Sequence, residues 1–166
     1  SVDRVLTFRN IHNWIKDGEI DANLRAFYAA LKPGGILGVE EHRATPGTSL
    51  QQTIDSGYVT EDYVIAHARA AGFELAGRSE VNSNPRDTKN YPHGVWSLPP
   101  SYEGGGADRA RYAAIGESDR MTLRFVKPLH RATRREHGAS AALDSVPIIC
   151  SYCALCTAPR PPYRYY

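Results

Sequence analysis

Leu31-Lys32-Pro33-Gly34-Gly35-Ile36-Leu37-Gly38-Val39-Glu40-Glu41 is the stretch on which the fold turns. Its first half stops a helix: Pro33 resists helical continuation, and Gly34 and Gly35 accept left-handed backbone angles. Its second half, Ile36–Glu41, reads as a strand. The apolar residues there do not alternate with polar ones, which suits a parallel strand buried on both faces. A parallel strand needs a crossover, usually a helix. Glu19–Leu31 supplies one, with Ile20, Leu24, Phe27, Tyr28 and Leu31 on a single apolar stripe and Asp17 or Asp21 placed to cap its start. Upstream, the apolar run Arg4–Phe8 reads as a short buried strand, ended by Arg9-Asn10.

Downstream, Thr60 is placed to cap a helix with Glu61 and Asp62 in its first turn, where the helix dipole favours them. Val64, Ile65, Ala68 and Ala71 form its packing face and Gly72 stops it. Phe73–Val81 reads as a third strand. Asn82–Asp119 is rich in Pro and Gly, and connections of that length are uncommon unless functional or disordered. Arg120–Lys127 reads as a fourth strand, with Met121, Leu123 and Phe125 on one face and Thr122 and Arg124 on the other. Strands alternating with helices imply a mostly parallel sheet covered by helices. The last strand arrives without a clear crossover helix, so antiparallel placement is expected.

The 166 residues, 42% hydrophobic and 23% charged, suit one soluble domain with a real core. No stretch approaches the roughly 20 apolar residues of a membrane span. The net charge of +2 is too small to suggest a nucleic-acid partner. Ser1 leads straight into an apolar run without a basic leader, so the chain is expected to start inside a structural element. With the true N-terminus placed upstream, the cytoplasm is only the default compartment.

Several segments resemble class I S-adenosylmethionine-dependent methyltransferases. Asp3-Arg4-Val5-Leu6-Thr7-Phe8-Arg9-Asn10-Ile11-His12-Asn13-Trp14 resembles their fourth strand and following loop, and Leu31-Lys32-Pro33-Gly34-Gly35-Ile36-Leu37 their turn into the fifth. Ala70-Ala71-Gly72-Phe73-Glu74-Leu75 resembles the entry to the sixth strand, and Asp119–Pro128 the closing seventh. The stretches 82–96 and 112–128 look more narrowly like a bacterial group of predicted methyltransferases with no assigned substrate. The resemblance covers residues 1–128 and implies an α/β, Rossmann-like methyltransferase sheet, mostly parallel with an antiparallel final strand and with its N-terminal strands missing. It implies S-adenosylmethionine as cofactor, a small-molecule methyl acceptor, and a chain that is not active alone. The family's Gly-rich loop and ribose-binding acid would precede Ser1. Gly34-Gly35 cannot replace that loop, because it precedes a strand, and Gly104-Gly105-Gly106 follows none.

Ligands of open α/β sheets bind outside the carboxyl ends of the strands. That rule selects Arg9, Asn10 and Asn13 as cofactor-binding candidates and Trp14 as a substrate contact. His12 becomes a candidate base near neutral pH. The second strand ends in Glu40-Glu41-His42-Arg43, adding His42 as a catalytic candidate and Glu41 as a substrate contact. Tyr58 and Tyr91 are further substrate-pocket candidates, and 82–92 has the length and polarity of a substrate lid. The same residues also read as turn formers, core aromatics and a plain surface loop. Two other readings stay open: a non-catalytic α/β module whose exposed sheet edge pairs with another chain, and half of a nucleotide-dependent oxidoreductase.

Residues 129–166 stand apart. They hold all three cysteines, Cys150, Cys153 and Cys156, and five arginines against two acids. They show no helical or strand period. Two CxxC spacings lack a fourth cysteine, and His137 is a distant partner, so no metal set is assigned. The segment reads as an irregular, non-native or disordered extension, such as a shifted reading frame leaves.

Overall fold

The computed structural model describes residues 1–104 and 106–129. The readings made on the cysteine tail, on His137 and on Gly105 lie outside these residues. Within them the chain is a mixed α/β fold. In order come β1 (Val2–Phe8), α1 (Ile11–Asp17), α2 (Ile20–Ala30), β2 (Leu31–His42), α3 (Leu50–Ser56), α4 (Glu61–Ala70), β3 (Glu74–Ser79), a 3-10 turn (Gly94–Ser97), α5 (Arg109–Ile115) and β4 (Arg120–Val126).

The four strands form one sheet in the order β1-β2-β4-β3. β1 pairs parallel with β2, Thr7 opposite Val39 and Phe8 opposite Glu40. β4 is antiparallel to both neighbours, with Val39 opposite Leu123 on one side and Ser79 opposite Thr122 on the other. The final strand is thus antiparallel, as expected. β1, β2 and β3 run one way and β4 alone runs against them, so one of the three ladders is parallel and two are antiparallel. The cause is position: β4 inserts between β2 and β3 rather than adding at an edge.

The core lies on one face of the sheet. Leu37 and Val39 from β2 and Met121, Leu123 and Phe125 from β4 pack against Ile11 and Ile15 of α1, Ile20 and Leu24 of α2, and Val64, Ile65 and Ala68 of α4. Each fully buried Leu, Ile or Phe in this set contributes about 1.5–3 kcal/mol of hydrophobic free energy. Alternation along β4 sends Thr122 and Arg124 to the other face. Thr60 caps α4, its side chain accepting the Tyr63 N–H. Asp21 caps nothing: it accepts a hydrogen bond from His67 Nδ1 instead, and Glu19 holds the cap position of α2 without a side-chain bond. α2 ends at Ala30, so Lys32–Gly35 already belongs to β2. Gly34 sits there at φ +78 and donates its N–H to Lys127 O.

Two helices depart from the sequence reading. α1 occupies residues read as a loop, and α3 follows a Ser49/Gln52 capping box that Ser49-Leu50-Gln51-Gln52 spells out. The long connection also has structure of its own. Tyr91, Leu98 and Tyr112 make a small apolar cluster, and the buried Asp87 carboxylate accepts the Tyr58 hydroxyl and the Asp119 N–H.

Candidate functional site

β1 and β2 are parallel and in register, so both carboxyl ends open on the same side. Because β4 runs the opposite way, its amino end lies there too. A cavity of about 310 Å³ occupies this corner, lined among others by Arg9, His12, His42, Trp96, Ser118 and Arg120.

The centre of the site is a buried pair. Glu41 is 0% exposed. Its Oε1 accepts from His12 Nδ1 at 2.9 Å and from the His42 N–H at 2.9 Å, and its Oε2 accepts the His12 N–H at 3.2 Å. The Glu41 carboxylate holds the Nδ1 proton of His12, which leaves Nε2 as the ring atom free to exchange a proton on a ring that lines the cavity. The ring is closed in by His42, with centroids 5.3 Å apart, and by the edge of Trp96 at 6.0 Å.

His42 ends β2. Its Nδ1 lies 2.5 Å from Ser118 Oγ. Burial, followed by the charges of His12, Arg9 and Arg120, pushes its pKa down to about 3, so the ring is neutral at neutral pH. Arg120 Nε lies 2.8 Å from Glu40 Oε1, an ion contact in which neither atom finds a hydrogen bond. Arg120 also reaches Glu117. Burial holds the Glu40 carboxyl above its ordinary value, against the lowering effect of Arg120.

Arg9 lines the same cavity. Its backbone is left-handed, φ +54, with its N–H bonded to Glu40 O. Arginine rarely adopts that region. Its guanidinium makes no ion pair among the described residues. His12, Glu41 and His42 each offer a donor atom within 4.8 Å of the others, a spacing a divalent cation accepts. Glu41 Oε1 and both Nδ1 atoms are already hydrogen-bonded, however, so the set is satisfied without an ion.

The other sequence candidates are placed elsewhere. Asn10 precedes α1 without capping it, and its Nδ2 reaches only Thr7 Oγ1 at 3.4 Å. Asn13 is exposed on α1. Trp14 packs edge-on to Phe27 at 5.6 Å, against the core. The reason is helical geometry: residues two apart point about 200° from each other, so His12 and Trp14 cannot both face the cavity. Glu41 is fully buried behind His12, which it bonds, and does not line the cavity. Tyr58 and Tyr91 line a separate recess beside Lys89 and Asn90. The Tyr58 hydroxyl is bound to Asp87, and burial and that carboxylate hold its pKa far above the usual phenol value. The segment read as a lid is anchored through Asn84, Asp87 and Lys89.

The sequence reading missed Trp96, Ser118 and Arg120. Ser118 and Arg120 had a signal, since an antiparallel β4 beside β2 brings its first residues to the end of β2. Trp96 had none beyond being a large aromatic in a Pro- and Gly-rich stretch.

No family model matches the chain, and neither does any curated protein. Among solved structures it is similar to the [4+2]-cyclase SpnF, with 22% identity and a TM-score of 0.49 over 78% of this chain and 51% of that one. It is also similar to a chain of the complex between the Haloferax volcanii Trm112 methyltransferase activator and a candidate methyltransferase, with 19% identity and a TM-score of 0.45 over 79% of this chain and 56% of that one. The chain therefore spans about half the length of the structures it resembles. These are likenesses of fold at low identity, and nothing about activity follows from them.

Proposed function

We propose that the chain carries the acceptor side of an S-adenosylmethionine-dependent methyltransferase site and that a small molecule is methylated there. The observation that carries the reading is the buried His12–Glu41 pair, held at the carboxyl ends of two parallel strands and facing a cavity. The resemblance of residues 1–128 supplies the class of reaction.

S-adenosylmethionine, when bound, supplies an electrophilic methyl group on a sulfonium. Arg9 fits the carboxylate at the cofactor's amino-acid end, because its guanidinium lines the cavity without a carboxylate partner among the described residues. Asn10 and Asn13 do not fit that role, since neither lines the cavity. His12 Nε2 takes the proton of the acceptor's nucleophile, which remains beside the ring that removed it. Glu41 holds the ring in place and compensates the positive charge the imidazole acquires. His42 stays neutral, so it adds no further positive charge beside Arg9 and Arg120 in a site that must also tolerate a sulfonium. Trp96 bounds the cavity and restricts water. Alignment of this kind is where most of the rate gain of a methyl transfer arises.

The test is calorimetric titration with S-adenosylmethionine of residues 1–166 and of the product of the complete reading frame. Micromolar binding that requires the segment upstream of Ser1 is the expected result. Binding to neither protein defeats the methyltransferase reading. Micromolar binding to residues 1–166 alone defeats the division of the site.

A further inference from the structure

His12 and His42 line one cavity from two different elements, α1 and the last position of β2. Their ring centroids lie 5.3 Å apart and the planes are tilted by 53°. On each ring Nδ1 is already engaged, by the Glu41 carboxylate on His12 at 2.9 Å and by Ser118 Oγ on His42 at 2.5 Å. One nitrogen, Nε2, is left on each. Neither Nε2 has a hydrogen-bond partner among the described residues, and buried side-chain atoms without a partner there are confined to the Glu40–Arg120 contact. Both Nε2 atoms are therefore reachable by solvent.

A metal-ligating histidine has this arrangement. It gives the lone pair of one nitrogen to the ion and donates the other N–H to a carboxylate or another oxygen, which fixes the ring and raises its basicity. Glu41 does this for His12, and is itself held by the backbone N–H groups of His12 and His42. Ser118 does it for His42 when Nδ1 donates to the hydroxyl oxygen. The spacing fits as well. Two imidazoles bound through Nε2 at about 2.1 Å to one tetrahedral ion place their ring centres about 5.3 Å apart. Charge does not forbid a cation, because the two arginines, Arg9 and Arg120, are offset by three carboxylates, Glu40, Glu41 and Glu117.

We infer that His12 and His42 bind a transition-metal ion of the Zn²⁺ or Cu²⁺ type through both Nε2 atoms, with water completing the coordination. Imidazole suits these ions, whereas Mg²⁺ and Ca²⁺ take oxygen ligands. The hydrogen bonds that satisfy Glu41 and both Nδ1 atoms without an ion are kept when the ion binds. The site stands on the two rings and their partners and is independent of the methyl-transfer reading. It bears on that reading in one respect. The His12 atom that would take the acceptor's proton is the one that holds the ion, so a bound ion blocks proton removal.

The test is calorimetric titration of ZnCl₂ at neutral pH into residues 1–166 carrying Cys150→Ser, Cys153→Ser and Cys156→Ser, so that no thiolate competes. One Zn²⁺ should bind per chain with micromolar affinity, and MgCl₂ should not bind. His12→Gln and His42→Gln should each weaken Zn²⁺ about 100-fold or more, and Ser118→Ala, which leaves both ligands in place, about tenfold. His67→Gln, outside the cavity, should change nothing. Electron spin-echo spectra of bound Cu²⁺ should show two imidazoles, a readout that needs no variant and stays decisive if a histidine variant fails to fold. Absence of Zn²⁺ binding, an affinity unchanged in both histidine variants, or a Cu²⁺ signal from one imidazole overturns the inference. None of these measurements contains S-adenosylmethionine, so the methyltransferase reading stands or falls separately.

Discussion

Replacing Asp119 with alanine should destabilise the fold by about 3 kcal/mol. The side chain is only 8% exposed and gathers three parts of the chain at the amino end of β4. Its Oδ1 accepts from Arg43 Nη2 at 2.8 Å and from the Asn84 N–H at 2.9 Å. Its Oδ2 accepts from Arg43 Nε at 3.1 Å and Lys89 Nζ at 2.7 Å. Hydrogen bonds to charged groups contribute about 1.5–3 kcal/mol each, and breaking one side of a buried ion pair costs about 3–5 kcal/mol. The four bonds do not add, because Arg43 retains Glu61 and Glu80. That retention sets the lower end of the range. With a urea slope of about 2 kcal/mol per molar, the midpoint falls by about 1.5 M at unchanged slope. Exposed Asp55→Ala is the control and should stay within about 0.5 kcal/mol of the parent. Burial by itself would raise the Asp119 pKa, but the bonds from Arg43, Lys89 and the Asn84 N–H outweigh it and hold it well below 3.8. A depressed native pKa gives stability that is complete above the unfolded value and lost as pH falls toward the native one. The gap between parent and variant should therefore be full at neutral pH and narrow steadily below pH 3.8. A midpoint shift no larger than that of Asp55→Ala, or a gap that persists unchanged into acid, would refute the network as the fastener of the long connection.

His42 titrates in the native state at about 3 against 6.5 in the unfolded chain, so between those values the unfolded chain binds the extra proton and stability rises with pH. The slope is at most about 1.4 kcal/mol per pH unit, and His42→Gln should flatten it in thermal melts run across that window. On the proposed methyl transfer, His12→Gln should lower kcat about 100- to 10,000-fold, while Glu41→Gln should lower it about tenfold or more with KM little changed. Retention of full turnover by His12→Gln removes it as the base. Gly94→Ala places a Cβ 2.1 Å from Ser56 O at φ +52, whereas Gly47→Ala at φ +86 meets nothing within 4 Å. The second should cost about 1–2 kcal/mol from left-handed strain alone, and the first several times that in chemical denaturation. Equal losses would mean that the loop around Gly94 moves away freely.

How much of this was legible in the sequence depends on the range of each signal. Long periodic segments were readable: Ile20, Leu24 and Phe27 marked α2, and Met121, Leu123 and Phe125 marked the inward face of β4. α1 spans only seven residues, too few for a helical period to stand out, and its buried apolar residues, Ile11 and Ile15, sit in a run that also satisfies a loop. The rule that strand ends carry sites led to Arg9, His12 and His42, which line one cavity. It could not sort neighbours on one element. Choosing His12 over Trp14 requires knowing that the segment is helical, and choosing between Glu40 and Glu41 requires the strand's facing. Both carboxylates are buried, one toward the open face with Arg120 and one toward His12. A one-residue change of register would exchange their roles, and register between paired residues 32 apart, such as Phe8 and Glu40, is not written in either strand alone.

The polar network and the site are mechanically one object. Asp87 holds the Asp119 N–H, and Asp119 in turn holds Arg43 next to His42. Ser118 precedes Asp119 in the chain, and its Oγ sets the ring of His42. The connection 82–119 thus behaves as a wall that sets one histidine rather than as a flap that opens. Preorganised groups act on a developing charge without reorganising at the moment of reaction, and a wall fastened by ion pairs supplies that condition more directly than a mobile lid. The same reasoning gives different consequences for damage at the two ends of the network. Loss of Asp119 should loosen the wall and the histidine together. Loss of Ser118 Oγ should free only the ring of His42, leaving the fold and the His12–Glu41 pair in place.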